Sequence, residues 1–130
     1  MLHRCDLTTW KGDAARAALE AVPYLVVLDT DRRETVQFAS VALPIGTYAE
    51  CDGTFTNHAG RVQRFVRAVA PPGEARPGWQ VLAQLLTALG GETPVESAAQ
   101  VFEALAAECP PFRGLSWQGL GDDGVPAGAR

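Results

Sequence analysis

Continuous and periodic apolar runs divide the chain into alternating helices and strands. Residues 13–22, Asp-Ala-Ala-Arg-Ala-Ala-Leu-Glu-Ala-Val, are strong helix formers behind a capping Asp13, and Pro23 stops them. Tyr24-Leu25-Val26-Val27-Leu28 is an unbroken apolar run of strand length. A strand without polar alternation is covered on both faces, as in a parallel sheet. Asp29-Thr30-Asp31 forms a polar turn at its carboxyl end, Glu34 to Ala39 a short helix, and Val41-Ala42-Leu43 a second short strand closed by Pro44. Helix, strand, helix and strand in this order make a βαβ-type unit with a short parallel sheet.

The pattern then changes. Asp52-Gly53 and Asn57-His58-Ala59-Gly60 are turn signals on either side of the strand-like Thr54-Phe55-Thr56. Gly53 and Gly60 suit backbone of positive φ, and Asn57 tolerates it. Val62, Phe65, Val66 and Val69 fall at helical spacing, but the two turns and the valine content favour a strand, giving a β-hairpin over 53–67. Pro71-Pro72-Gly73 is a rigid loop. A helix over 78–89 follows Pro77, with Trp79, Leu82, Ala83, Leu86 and Leu89 as its buried stripe and Gly90-Gly91 at its end. Thr93-Pro94-Val95-Glu96 has the form of a capping box for a helix over 95–108 that buries Val95, Ala99, Phe102, Leu105 and Ala106 and stops before Pro110-Pro111. Beyond Phe112 glycine destroys any period. Phe112, Leu115 and Trp117 can still pin the first half of this stretch to the body, and 125–130 is expected to be a disordered tail, leaving one domain over 1–124.

Composition narrows the functional classes. With 130 residues, 47% of them hydrophobic, the chain can bury one modest core. A net charge of −4 argues against a nucleic-acid partner. No window reaches the ~18 apolar residues of a membrane span, and the first residues form no hydrophobic signal region. Three widely spaced cysteines, at 5, 51 and 109, suit a reducing, cytoplasmic compartment. They contain no Cys-x2-Cys pair for an iron–sulfur cluster, and His3 and His58 stand apart from any second zinc ligand. There is no Gly-x-Gly-x-x-Gly, P-loop or Gly-x-Ser-x-Gly motif, so no catalytic residue and no metal site is assigned. The position best placed for a ligand is Asp29 to Thr35, beyond the carboxyl end of a parallel strand and at the start of a short helix, where free N–H groups attract phosphate.

The run Ala49-Glu50-x-Asp52-Gly53-Thr54-Phe55-Thr56-Asn57-x-x-Gly60-Arg61-Val62-Gln63 resembles a signature of the molybdopterin oxidoreductase superfamily. That superfamily includes formate dehydrogenase catalytic subunits and the large iron–sulfur subunit of NADH-quinone oxidoreductase, respiratory complex I. The resemblance continues upstream in Leu25-Val26-Val27-x-Asp29, Glu34-Thr35 and Ala39-x-Val41-x-Leu43-Pro44. Downstream it includes Pro71-Pro72-Gly73-Glu74-Ala75-Arg76-Pro77-x-Trp79 and Phe112-x-Gly114-Leu115-Ser116, so it covers about Tyr24 to Gly124. It implies a partial α/β domain of that type, in a chain that is one piece of a larger protein. It also implies Asp29, Glu34 and Thr35 as the residues that hold the guanine nucleotide end of a molybdopterin guanine dinucleotide. The chain departs from the pattern at Asp31 and Arg33, where the family commonly has an aromatic residue and a threonine, and at Ser40, where it usually has aspartate.

Three functions are compatible with these residues. The first is the C-terminal scaffold region of a protein like the large iron–sulfur subunit of NADH-quinone oxidoreductase, without chemistry of its own; the departures favour it. The second is the cofactor-holding segment of a molybdenum-dependent formate dehydrogenase. The third is a stand-alone α/β interaction module. On the first two readings the parent protein carries iron–sulfur clusters. Its partners are then the rest of the parent chain and other subunits of a respiratory complex, in the cytoplasm and peripheral to the inner membrane.

Overall fold

The computed structural model describes residues 1–92 and 95–128. Contacts divide the chain into two compact units, Met1–Thr47 with Pro71–Gly78, and Tyr48–Ala70 with Trp79–Arg130. The first holds a parallel sheet, the second an antiparallel sheet and two helices, so the expected α/β fragment of a short parallel sheet, flanking helices and a β-hairpin is what the chain forms.

In the first unit, β1 (Leu2–His3), β2 (Val26–Asp29) and β3 (Val41–Pro44) lie in that order, all parallel. Leu2 is opposite Val27, and Asp29 is opposite Pro44. The apolar run assigned to 24–28 thus forms its strand, shifted by the two residues at its start. Leu25 instead forms the hinge into β2, its N–H donating to Ser40 Oγ and its carbonyl accepting from Ser40 N. Ser40 therefore closes the strand pair with its hydroxyl. β1 is too short to show a period, and no sequence signal announces it. Helix α1 (Leu7–Glu20) starts six residues before the expected 13–22 and breaks at Gly12, whose φ of 52° and ψ of −131° are not helical. The helix formers from Asp13 onward build its second part. Glu34–Phe38 is a 3₁₀ turn. Leu19, Leu25 and Val27 form the core here, packed by Leu2, Leu7, Val36 and Phe38. Burial of side chains of this size stabilises by roughly 1.5–3 kcal/mol each.

Polar anchors tie the 3₁₀ turn to α1. The Asp6 carboxylate accepts hydroxyl hydrogen bonds from Thr8 (2.7 Å), Thr9 (2.8 Å) and the fully buried Thr35 (2.9 Å). These donors hold its pKa down at about 2. Arg16 grips Glu34 with two bonds, Nε to Oε1 at 2.6 Å and Nη2 to Oε2 at 3.0 Å. The guanidinium keeps the Glu34 carboxyl below its usual range.

In the second unit, β4 (Gly53–Thr56) and β5 (Arg61–Phe65) form the expected hairpin, with Gly53 opposite Phe65 and Thr56 opposite Val62. The turn is organised by the Asn57 carboxamide, whose Oδ1 accepts from Ala59 N and Arg61 N at 3.0 Å each. Asn57 does not itself have positive φ; Gly60 does, at 76°. Gly53 departs from the expectation of a positive-φ turn residue, since its φ is not positive. It is glycine because a Cβ there would sit 2.6 Å from Phe65 Cζ. Phe65 covers the glycine and stacks on Phe55 at a centroid distance of 4.7 Å.

Val125–Pro126 forms β6, pairing antiparallel with β5 through Arg61 and Val62. The expectation of a disordered tail from 125 onward is therefore wrong for these residues. The bonds come from an uncovered strand edge, and Ala127 N donates to Gly60 O at 2.8 Å, which no local sequence pattern encodes. Ala129 and Arg130 lie outside the described residues.

Helix α2 (Gly78–Ala88) has the expected bounds within a residue. Its buried side chain is Val81, however, whereas Leu86 (46% exposed) and, just past the helix, Leu89 (84%) are exposed, contrary to the stripe assigned to them. Helix α3 (Ala98–Glu108) starts three residues later than expected, because Ser97 caps it, its Oγ accepting from Gln100 N. The Thr93 and Pro94 of the capping box lie outside the described residues. Phe102 and Ala106 are buried as expected, and Ala98 takes the place assigned to Ala99. Phe102 packs with Val62 and Leu120, and with Phe112 and Trp117 edge-on at 6.3 and 6.4 Å.

Two outcomes follow from these contacts. Gly53→Ala and Gly60→Ala should both lower the urea midpoint, Gly60→Ala through strain of about 1–2 kcal/mol. Adding Phe65→Leu should recover part of the Gly53→Ala loss and none of the Gly60→Ala loss; equal recovery in both would refute the ring-over-glycine account. The Asp6 anchor fixes a pH window. Its folded pKa of about 2 lies below the ordinary carboxylate value, so its stabilisation is complete above about pH 4 and disappears as pH falls toward 2. Between about pH 5 and 2 the wild type should lose more stability in urea melts than Asp6→Asn does. Parallel losses would show that the three hydroxyls do not hold the charge.

Candidate nucleotide site

The carboxyl ends of β2 and β3 and the loop from Thr30 to Arg33 surround a cavity of about 620 Å³. Its walls are Val27, Val36, Ala42, Leu43 and Pro44, with Gln37 and the polar loop residues completing it. The volume falls in the range of about 300–1,000 Å³ typical of small-molecule sites, and its place beyond the ends of parallel strands is where such sheets bind ligands.

Asp29 is the last residue of β2, its carbonyl accepting from Ile45 N at 3.1 Å. Its side chain is 2% exposed. Oδ1 accepts from Thr30 N at 2.7 Å, while Oδ2 is buried with no hydrogen-bond partner. A buried acceptor left without a donor is costly, so its retention beside a cavity marks a place for an incoming N–H. Arg33 is the nearest cation, with Nε 3.9 Å from Asp29 Oδ1 and Nη2 3.7 Å from Asp31 Oδ2, both too long for hydrogen bonds.

The three residues assigned to the site from sequence thus part company. Asp29 lines the cavity. Glu34 and Thr35 do not line it; their polar atoms are engaged by Arg16 and Asp6, and they position the loop instead. Sequence reasoning included Arg32 in the ligand segment without singling it out, and missed Gln37 and Pro44 as lining residues and Asp6 and Arg16 as the anchors behind them. The only signal for these was charge density around 29–34, since Asp6 and Arg16 reach the loop only after folding. The expected phosphate-attracting helix N-terminus is a single 3₁₀ turn of five residues, so anion attraction there falls to side chains. A second cavity of about 530 Å³, lined by Trp79, Gln80, Ala83, Thr87, Val95 and Glu96, holds a buried unpartnered donor, Trp79 Nε1, but no buried unpartnered acceptor among the described residues. No group of three or more His, Cys, Asp and Glu side chains among the described residues is placed to hold a metal ion. No helix among them is long and apolar enough to cross a membrane.

Known proteins share this stretch of sequence. The F420-dependent formate dehydrogenase 2 subunit alpha of Methanococcus maripaludis is 40% identical over 110 residues, covering 83% of this chain and 16% of that protein. The NADPH-Fe(3+) oxidoreductase subunit alpha of Geobacter sulfurreducens is 38% identical over 109 residues, covering 84% and 13%. The F420-dependent formate dehydrogenase subunit alpha of Methanocaldococcus jannaschii is 37% identical over 110 residues, covering 83% and 16%. The chain therefore spans less than a fifth of the length of these relatives. Residues 1–88, which include the whole cavity at the end of the parallel sheet, match the family profile described as molybdopterin oxidoreductase, and the chain belongs to that family.

Proposed function

We propose that this chain is the nucleotide-holding segment of a molybdopterin-dependent oxidoreductase subunit of the formate dehydrogenase alpha type. Asp29 reads the guanine end of a molybdopterin guanine dinucleotide. The observation that carries the reading is Asp29 Oδ2, buried and unpartnered in a carboxylate that lines a ligand-sized cavity. A carboxylate accepts side-by-side hydrogen bonds, which matches the adjacent N–H donors on the guanine edge. Apolar walls from Val27, Val36, Leu43 and Pro44 suit a flat base. Glu34 and Thr35, expected as direct ligands, act as supports that fix the loop through Arg16 and Asp6. When bound, the cofactor supplies the redox chemistry at its metal. The residues of this chain bind and orient the opposite end.

The same chain could serve as a degenerate scaffold in a protein like the large iron–sulfur subunit of NADH-quinone oxidoreductase, and the engagement of Glu34 and Thr35 with the chain's own side chains favours that second reading. The orphan acceptor weighs against it, because a pocket kept only as scaffold gains nothing from an unsatisfied buried oxygen. On either reading the parent protein carries iron–sulfur clusters in other segments, assembles with further subunits and works in the cytoplasm, peripheral to the inner membrane.

Titration of the 130-residue chain with guanosine monophosphate, followed by calorimetry or amide NMR shifts, tests the proposal. Binding should centre on the loop 29–33 and weaken at least tenfold in Asp29→Asn, as expected from losing a hydrogen bond to a charged acceptor. Adenosine monophosphate, which lacks the paired donors, should bind no better than that variant. Absence of guanosine monophosphate binding at millimolar concentration would favour the scaffold reading.

A further inference from the structure

We infer that Arg32 and Arg33 form a phosphate grip at the rim of this cavity, selecting guanine nucleotides that bear a diphosphate over the bare nucleoside. The inference rests on the proposal that Asp29 reads the base. Both arginines line the cavity. The Arg33 side chain makes only the two long ion pairs, to Asp29 Oδ1 at 3.9 Å and Asp31 Oδ2 at 3.7 Å, and no hydrogen bond among the described residues. Arg32 is exposed and forms no ion pair or side-chain hydrogen bond among the described residues. The contrast with Arg16 is direct, since that guanidinium is fully engaged by Asp13 and Glu34 at 2.6–3.0 Å. Two guanidinium groups at one cavity thus keep their N–H forks uncommitted, in the geometry that suits phosphate oxygens.

Depth orders the site. The Asp29 side chain is 2% exposed, whereas Arg33 is 41% exposed, so the acceptor sits inside and the cations outside. A ligand that fits has N–H donors at its inner end and negative charge at its outer end, which describes a nucleoside diphosphate. The other anion at the rim, Asp31, is 70% exposed and can turn into solvent as a phosphate arrives. The 3₁₀ turn that follows is too short to supply a helix dipole, so these side chains are the available source of positive potential.

A different role for Arg33 is to act merely as counter-ion to Asp29. The two roles separate by ligand. In the 130-residue chain at low ionic strength, guanosine diphosphate should bind at least tenfold more tightly than guanosine, and added salt should shrink that preference. Arg33→Gln and Arg32→Gln should each reduce the diphosphate-over-nucleoside ratio severalfold, and the double variant should abolish it. A counter-ion role instead predicts that Arg33→Gln weakens both ligands equally and leaves the ratio intact. That result, or a wild-type ratio near one, overturns the phosphate grip while leaving the base-reading proposal standing. Failure of the wild type to bind either ligand overturns the base-reading proposal itself.

Discussion

The Asp6 carboxylate is the contact on which the geometry of the first unit's loop from Thr30 to Arg33 depends. It draws together three hydroxyls, two from the start of α1 and one from Thr35, which is wholly buried. The adjacent Glu34 is held to the middle of α1 by Arg16. At the other end of the loop, Asp29 is fixed by its place in β2 and by the bond from Ile45 N. Thr30 to Arg33 is thus suspended between two fixed ends. A loop fixed in this way loses little conformational freedom when a ligand arrives, and that raises affinity without any added contact.

That arrangement assigns opposite tasks to neighbouring charges. Arg16 and Glu34 meet with short, paired hydrogen bonds and serve the fold. Arg33 lies beside two carboxylates without bonding to either, and partly exposed pairs at such distances contribute little to stability. Its guanidinium can therefore turn toward a ligand at small cost to the fold. Spacing in sequence does not distinguish the two arginines; the burial and hydrogen bonding of the partner carboxylate do.

Elements with a strong local cause were legible in the sequence. The run Tyr24 to Leu28 announced a parallel strand, Asn57 to Gly60 a hairpin turn, and Gly90-Gly91 the end of α2, because each rests on burial or on backbone preference within a few residues. What depends on distant partners was not legible. Two-residue β1 exists because β2 offers it a neighbour, and β6 because β5 has a free edge. Gly53 looked like a turn glycine and proved to be the floor beneath Phe65. On α2, Leu86 and Leu89 carry the helical apolar period yet stay exposed, so period alone did not identify the buried face. Of the site, only Asp29 was read in its proposed role. Glu34 and Thr35 adjoin the loop without lining the cavity, and the side chains that claim them, Arg16 and Asp6, lie 18 and 29 residues earlier.

The departures at Asp31 and Arg33 put two charges into the lining of the cavity. The two residues add one negative and one positive charge, so the summed charge of the loop is the same as with uncharged side chains at both positions. Their positions differ, however. Asp31 is 70% exposed and hydrated at little cost, whereas Arg33 stands between it and the buried Asp29. Charges near water are screened and those nearer the low-dielectric interior act more strongly, so Arg33 outweighs the exposed Asp31 and is itself opposed by the buried Asp29. The pair's own two charges cancel, and the buried Asp29 carboxylate takes Arg33 as its nearest counter-charge. Arg32, which has no carboxylate partner among the described residues, supplies a second cation to the cavity lining.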